Sequence, residues 1–294
     1  MTDTHNMRLA LGTAQFGFSY GIANQTGQVM QADISKMLKL ALSNGIDTLD
    51  TAIAYGESET CLGEFGTEGF KIVTKLPSLP ENYSDVNSWV REQVSGSLAR
   101  IGVSAVYGLL LHHPVQLIES NGTKLFYALQ ELKQAGFIKN VGISIYSPTE
   151  LDVLPKRFHF DIVQAPFNLV DRRLHITGWL QRLKEDDVEI HTRSSFLQGL
   201  LLMSGENRPS KFAPWSDLWK KWHKWLADQN VSAVQACLAF SLSFPEIDRV
   251  IVGADSVKQL QQIIEAASTV TVIQFPNLSC DDENLINPSR WSQL

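Results

Sequence analysis

The chain has 294 residues, 44% of them hydrophobic, so it can enclose a full core in one domain of α/β-barrel size or in two smaller domains. Its formal net charge of −6 and the lack of a long basic run argue against a nucleic-acid or anionic-membrane partner. Three cysteines without CxxC spacing, an N-terminus without an apolar signal core and no membrane-length apolar run predict a cytoplasmic protein.

Strand-like runs recur along the chain, and each is followed by a helical pattern. The second run ends in Asp50 and follows Gly45, which is expected to end the helix before it. The fourth run, 106–111, is apolar on both faces, as a buried parallel strand should be. The predicted strands are 9–13, 45–50, 70–75, 106–111, 141–144, 161–165, 188–193 and 249–253.

The segments between these runs carry helical signals. Asp33 is the predicted N-cap of the first helix, and its apolar residues recur at the spacing of one helix face. The next helix is predicted to start near Ser84. Further helices are predicted over 125–134, after Pro148, and over 174–184, 215–228, 232–243 and 256–267. Residues 1–7 are predicted to form a disordered tail and 271–294 an irregular segment.

Alternation of strands and helices implies a parallel sheet with right-handed crossovers. Eight such units in a chain of this length fit a (β/α)8 TIM barrel of the α/β class, with residues 1–294 as a single domain. A doubly wound open sheet is the alternative. That fold normally has an early GxGxxG phosphate turn, and no such turn follows the first predicted strand.

Four polar side chains follow three neighbouring strands of this predicted barrel. Asp50 ends the second strand and Tyr55 lies on the loop after it, while Lys75 ends the third strand and His112 the fourth. Active sites of such barrels lie at the carboxyl ends of the strands, so we expect these side chains to converge. Each alone has an ordinary structural explanation, such as a turn cap or a solvated strand end. Their joint arrangement favours a catalytic site.

An acid, a phenol, an amine and an imidazole together suit proton transfer to a carbonyl oxygen. The pKa of a tyrosine is about 10, too high for efficient acid–base catalysis at neutral pH, and we expect the Lys75 cation to lower it. Asp50 would hold Lys75 in place, and His112 would orient the substrate oxygen. Since no side chain supplies a hydride, reduction at the carbonyl carbon requires a cofactor.

The adjacent histidines His112 and His113 raise a metal site as an alternative. No cysteine or third histidine stands nearby at the spacing of metal ligands. The sequence therefore predicts that no metal is bound.

Seven motifs, spread over nearly the whole chain, resemble the aldo-keto reductase family. They read GIDTLDTAIAYGESE, KIVTK, LLLHHP, VGISIY, DIVQAPFN, RSSFLQGLL and VIVGADSVKQL. The resemblance implies that Tyr55 is the general acid, that Lys75 and Asp50 tune it, and that His112 orients the substrate. It also implies reversible reduction of an aldehyde or ketone with a nicotinamide cofactor.

The resemblance implies a set of cofactor-binding residues as well. Ser144 and Gln164 would hold the nicotinamide carboxamide, residues 193–198 would line the nicotinamide and pyrophosphate, and 253–262 would hold the adenosine end. The complete predicted set is Thr13, Ser144, Gln164, Arg193, Ser194, Phe196, Gln198, Gly253, Ser256, Lys258, Gln259 and Gln262.

Several positions depart from the commonest family pattern, among them Gln262 and Ile263, which stand where the family commonly has Glu and Asn. Ile145 stands where an asparagine usually follows the carboxamide-binding serine, and Arg193 stands where many members have a tyrosine stacked on the nicotinamide. Gln259 replaces an arginine that often holds the 2′-phosphate of NADPH. Ser256 begins a capping-box pattern whose backbone N–H groups could bind phosphate, with Lys258 nearby. The resemblance favours NADP(H), with NAD(H) as the alternative.

The substrate is expected to be a small carbonyl compound or a sugar. Loops that follow barrel strands build the pocket, so its predicted wall includes residues of the first loop. The predicted wall residues are Phe16, Phe18, Tyr20, His113 and Trp215. Two other functions stay open: a class I aldolase that uses Lys75 as its Schiff-base amine, and a regulatory subunit that senses NADP(H) without turnover. The sequence predicts neither the oligomeric state nor the substrate.

Overall fold

Eight parallel strands hydrogen-bond in chain order and close into a barrel where the first strand pairs with the eighth. The computed structural model describes residues 8–81, 83, 85–269 and 274–294. The strands are β1 Leu9–Gly12, β2 Thr48–Asp50, β3 Lys71–Leu76, β4 Val106–Leu111, β5 Ile138–Ser144, β6 Ile162–Pro166, β7 Glu189–Arg193 and β8 Arg249–Val252. The predicted (β/α)8 TIM barrel is therefore confirmed.

Helices surround the barrel, and most follow the predicted ones. They are α1 Ala14–Gly17, α2 Gln31–Ser43, α3 Ser58–Phe65, α4 Val86–Ile101, α5 Gly122–Gln134, α6 Arg173–Ile176, α7 Trp179–Glu185, α8 Ser216–Gln229, α9 Ala233–Leu242, α10 Val257–Ser268 and α11 Glu283–Ile286. No helix within the described ranges is long and apolar enough to cross a membrane.

Several helix boundaries differ from the sequence prediction: α5 starts at Gly122, the predicted helix 174–184 is divided into α6 and α7, and α2 starts before its predicted N-cap. Helix α2 begins at Gln31, and Met30 precedes it without a side-chain cap. The predicted N-cap, Asp33, instead lies in the first turn and pairs with Lys36 at 2.9 Å. Its carboxylate still favours the positive end of the helix dipole. The predicted start of the next helix, Ser84, lies outside the described residues, and α4 is capped by Asp85.

The C-terminal segment is more ordered than predicted. It contains α11 and a 3-10 helix, Pro288–Gln293, where an irregular segment was expected. Trp291 anchors it, because its ring lies 5.0 Å from that of Phe212 and its indole N–H donates to Leu285 O at 3.1 Å. The predicted disordered tail, 1–7, lies outside the described residues, as do residues 270–273.

The main apolar core lies between the barrel and its helices, whereas the barrel interior has only a small apolar cluster. That cluster consists of Val73, Leu110 and Ile162. Polar side chains occupy much of the remaining interior, including Lys75 and Gln164, which are both buried. Buried polar groups are costly unless they are hydrogen-bonded, so most of these side chains pair with one another, although His191 Nδ1 has no partner in the described part of the chain.

Helix α3, which follows the loop that carries Tyr55, is anchored by a buried carboxylate. Glu59 is 1% exposed and accepts hydrogen bonds from Thr74 Oγ1 at 2.7 Å, from Ser97 Oγ at 2.6 Å and from the Arg100 guanidinium. These bonds connect α3 to β3 and α4. They fix the position of the helix that starts directly after the Tyr55 loop.

Two glycines let the loop after β1 cross the Tyr55 loop at close range. A Cβ on Gly17 would lie 1.7 Å from Tyr55 O, and a Cβ on Gly56 would lie 2.7 Å from Gly17 O. Gly56 also has a φ of +53°, which side chains rarely adopt. The crossing therefore requires glycine in both of the segments that meet there. It also fixes the position of Tyr55 above the barrel.

Replacing Gly17 by alanine should force the two loops apart, because the new methyl group would meet backbone that cannot move independently. We expect Gly17→Ala to lower the free energy of unfolding by about 2–3 kcal/mol. Chemical denaturation of the purified variant measures this change. Gly205→Ala is the matched control, since a Cβ there meets nothing within 4 Å. Equal stability of Gly17→Ala and the wild type would contradict the crossing.

Candidate active site

A buried ion pair lies at the carboxyl ends of β2 and β3. Lys75 Nζ donates to Asp50 Oδ1 at 2.7 Å and to Thr51 O at 2.8 Å, and the lysine is 1% exposed. Burial lowers the pKa of Lys75, and the Asp50 carboxylate opposes that change. Two of the four predicted catalytic side chains are therefore in direct contact.

Tyr55 stands beside this pair with its hydroxyl protonated. Lys75 Nζ lies 5.0 Å from the centroid of the Tyr55 ring, in a cation–π contact. The pKa of Tyr55 is raised, first by burial and then by the Asp50 charge. The sequence led us to expect that Lys75 would lower this pKa, but burial and the Asp50 carboxylate raise it, and Arg193 is the cation that opposes them. The phenol therefore carries its proton at neutral pH.

His112 completes the predicted tetrad. Its ring lies 5.8 Å from the Tyr55 ring in an edge-on arrangement. Burial, followed by the positive charge of Lys75, lowers the pKa of His112 to about 3. The imidazole is therefore neutral at physiological pH and keeps one N–H donor and one acceptor nitrogen.

Asp50 also connects the ion pair to two predicted cofactor residues. Gln164 Nε2 donates to Asp50 Oδ2 at 2.7 Å, and Ser144 Oγ donates to Gln164 Oε1 at 3.0 Å. Both side chains are buried, Gln164 within β6 and Ser144 at the end of β5. The chain Lys75–Asp50–Gln164–Ser144 thus holds the Gln164 amide and the Ser144 hydroxyl in fixed orientations.

Aromatic rings form a continuous arc around Tyr55 and His112. Phe18 lies 6.0 Å from Tyr55 and 5.8 Å from Tyr20, measured between ring centroids. On the other side, the His113 ring lies 5.4 Å from that of His112. Phe18, Tyr20 and His113 were predicted as substrate-wall residues, and the structure places all three beside the tetrad.

Tyr146 extends this arc and was missed by the sequence reasoning. Its ring is stacked 6.3 Å from that of His113, and the Arg193 guanidinium lies 4.9 Å from its centroid. The sequence feature that could have identified Tyr146 is its position two residues after Ser144 in VGISIY, at the end of a predicted strand. Within the described ranges, no group of three His, Cys, Asp or Glu side chains could hold a metal ion.

Two predicted substrate residues lie elsewhere. Phe16 is 0% exposed and packs in the main core, because α1 turns its side chain away from the barrel mouth. Trp215 packs 6.2 Å from Phe212, and its indole N–H donates to Asp282 Oδ2 at 3.2 Å. The tryptophan therefore supports the C-terminal segment, and both predictions are corrected.

A cavity of about 330 Å³ extends from the tetrad towards helix α10. Asp50 and Tyr55 line one end, and Gln262 and Ile263 of α10 line the cavity as well. Its volume falls within the range of small-molecule sites. Eight of the predicted cofactor residues line it: Thr13, Arg193, Ser194, Phe196, Gln198, Gly253, Gln259 and Gln262.

The loop after β7 forms one wall of this cavity in an uncommon backbone conformation. Ser194, Leu197 and Gln198 have φ values of 65°, 48° and 51°. Non-glycine residues in this region cluster at ligand sites, where surrounding structure holds them in place. Ser195 lines the same wall, and its buried Oγ has no hydrogen-bond partner in the structure. An unpaired polar atom within the wall of a cavity fits a polar ligand such as a dinucleotide.

The far end of the cavity differs from the predicted adenosine site. Ser256 Oγ accepts from the Gln259 N–H at 3.2 Å, but Gln259 Oε1 accepts from the Asp255 N–H at 2.8 Å, so the capping box is not reciprocal. Ser256 and Lys258 are not among the described residues that line the cavity. Asp255, which the sequence reasoning did not single out, does line it.

A family model described as the aldo/keto reductase family matches residues 8–275. The matches to individual relatives also cover most of the chain. An uncharacterised oxidoreductase of Bacillus subtilis, YqkF, is 27% identical over 79% of this chain and 81% of its own length. L-galactose dehydrogenase of Arabidopsis thaliana is 25% identical, in a match that covers 95% of this chain and 90% of the relative. D-arabinose 1-dehydrogenase of Saccharomyces cerevisiae is 25% identical, in a match that covers 87% of this chain and 82% of the relative.

Solved structures show the same architecture. The holo form of aldo-keto reductase AKR11C1 from Bacillus halodurans superposes with a TM-score of 0.71. It is 21% identical to this chain, and the match covers 92% of this chain and 89% of that one. The match to the family model, which covers most of the chain, establishes that this protein is a member of the aldo/keto reductase family of oxidoreductases.

Proposed function

We propose that the protein reduces an aldehyde or ketone to the alcohol with a nicotinamide cofactor, in a reversible reaction. The observation that carries this proposal is the buried Lys75–Asp50 pair at 2.7 Å beside a protonated Tyr55, at one end of a cavity. A neutral His112 lies across from the phenol. This set of groups can protonate a carbonyl oxygen while its carbon is reduced.

Each side chain has a distinct task in this proposal. The Tyr55 hydroxyl donates its proton to the carbonyl oxygen, and the neutral His112 ring donates a hydrogen bond that orients the same oxygen. The Lys75 cation stabilises the phenolate that Tyr55 becomes, and Asp50 keeps that cation in place. When bound, the reduced nicotinamide supplies the hydride.

The cofactor is proposed to lie along the cavity. Ser144 and Gln164 would hold the carboxamide, since their amide and hydroxyl groups are already fixed by Asp50. Ser195 Oγ and the loop after β7 would contact the nicotinamide and pyrophosphate. The family resemblance predicts a preference for NADP(H), although Lys258, its predicted cation at the start of α10, is not among the described residues that line the cavity. Asp255 lines the cavity and opposes it, so NAD(H) is the alternative.

The substrate is proposed to be a small carbonyl compound or a sugar that lies against the aromatic arc. The flat rings of Phe18, Tyr20 and Tyr146 offer apolar faces, and the adjacent phenol and imidazole groups offer polar edges. Sugars present the same combination of apolar faces and hydroxyl edges. Two relatives are named as dehydrogenases of sugars, L-galactose and D-arabinose, which agrees with this class.

An aldolase role for Lys75 has less support. A Schiff-base lysine needs a neutral amine that a substrate can reach. Lys75 is 1% exposed, and its amine donates to both Asp50 and Thr51. A regulatory role without turnover is likewise disfavoured, because a protein that only senses the cofactor has no need for an intact proton-donating set.

Removing the Tyr55 hydroxyl should abolish proton donation and leave cofactor binding unchanged. We expect Tyr55→Phe to lower kcat by about 10²–10⁴-fold, with the dissociation constant of NADPH within about twofold of the wild type. Steady-state kinetics with a responsive carbonyl substrate and a fluorescence titration provide the two measurements. Tyr127→Phe is the control, because that side chain is exposed on α5 and is not among the described residues that line the cavity. Full turnover by Tyr55→Phe would refute the proposed proton donor.

The neutral state of His112 can be tested through the pH dependence of stability. Its pKa in the folded state is about 3, below the unfolded value of about 6.5, so the unfolded chain binds the proton more readily. The folded protein therefore loses stability as the pH falls from about 7 towards 3.

We expect the wild type to lose about 1–2 kcal/mol more than His112→Gln when the pH changes from 7.5 to 5. Chemical denaturation of both proteins at the two pH values gives the difference. An equal loss in the two proteins would show that His112 is not held neutral by the fold.

A further inference from the structure

Arg193 presents an unneutralised positive charge to the cavity, close to the proposed proton donor. Its Nη2 donates to Ile145 O at 3.0 Å, and Nη1 lies 3.4 Å from Ser194 Oγ. No carboxylate in the described part of the chain forms an ion pair with it. The Tyr146 ring covers one side of the guanidinium at 4.9 Å, and the residue itself lines the cavity. The carbonyl and the ring hold the group in place without cancelling its charge.

This charge is the dominant one at the tetrad end of the cavity. Asp50 also lines that end, but Lys75 neutralises it at 2.7 Å, and Asp255 belongs to the far end. Burial dominates the pKa values of Tyr55, Lys75 and His112, yet the Arg193 charge acts on all three. Arg193 is therefore close enough to influence any group that reacts beside Tyr55.

The reactive ring of a nicotinamide cofactor must occupy this same end. Hydride can reach the carbonyl carbon only if the ring lies within contact distance of a substrate whose oxygen is bonded to Tyr55. The oxidised ring is a pyridinium with one positive charge, whereas the reduced dihydropyridine is neutral. A fixed cation beside the ring repels the oxidised form and leaves the reduced form unaffected.

We infer that Arg193 makes the site bind the reduced cofactor more tightly than the oxidised one. This inference rests on the proposed function, because it requires a nicotinamide at this end of the cavity. The guanidinium selects by charge, and the preference belongs to the ring rather than to the adenosine end.

The test compares dissociation constants within each cofactor pair. NADPH and NADP⁺ share the same 2′-phosphate, and NADH and NAD⁺ share the same hydroxyl, so each ratio isolates the charge on the ring. We expect Arg193→Gln to lower the ratio of the oxidised to the reduced dissociation constant by about tenfold in both pairs. Arg193→Lys retains the charge and should keep the ratio within about threefold of the wild type. Isothermal titration calorimetry of the purified proteins gives all four constants.

A second variant tests the same charge without removing the guanidinium. Ser194→Asp places a carboxylate beside Arg193, at a φ of 65° that aspartate tolerates, and should lower the ratio in the same direction. If Arg193→Gln weakens both forms equally, so that the ratio stays within about twofold of the wild type, the inference is overturned. If the wild type binds none of the four nucleotides, the proposed function itself fails.

Discussion

The buried ion pair between Lys75 and Asp50 is the constraint on which the rest of the site depends. Two charges inside a barrel are tolerated only when each is paired and hydrogen-bonded. Asp50 meets this requirement with both oxygens, since Lys75 bonds to one and Gln164 to the other. Removing either partner would leave an uncompensated charge in the interior. These hydrogen bonds therefore connect β2, β3 and β6, and the bond from Ser144 to Gln164 connects β5 to them.

The pair also determines what its neighbours can do. The Lys75 cation contacts the Tyr55 ring. It also lowers the pKa of His112, as a smaller effect than burial, and together the two effects keep the imidazole neutral. The negative end of the pair raises the pKa of Tyr55 further, after burial. Together these effects place a protonated phenol beside a neutral imidazole. Tyr55 reaches this position only because Gly17 and Gly56 allow two loops to cross.

Much of this arrangement was predictable from sequence, because strand periodicity and strand ends are local signals. The eight predicted strand-like runs indicated the barrel. Asp50, Lys75 and His112, at or directly after the ends of three of these runs, indicated where the tetrad would lie. The direction of the Tyr55 pKa was not predictable, since burial depends on loops far apart in the chain. Phe16 could not be distinguished from Phe18 by pattern either, because the turn of α1 decides which ring enters the core. Tyr146 was recognised only when the fold placed its ring beside His113, whereas Ser195 and Asp255 lie within the two ranges predicted to hold the cofactor.

Transfer of hydrogen from the cofactor to the substrate carbon is the most direct test of the central claim. Nicotinamide cofactor carrying deuterium at both C4 positions would be incubated with the protein and a panel of aldehydes, ketones and aldoses. Mass spectrometry would then locate deuterium in the product. The account predicts an alcohol with deuterium on the former carbonyl carbon. An alcohol without deuterium at that carbon would contradict it.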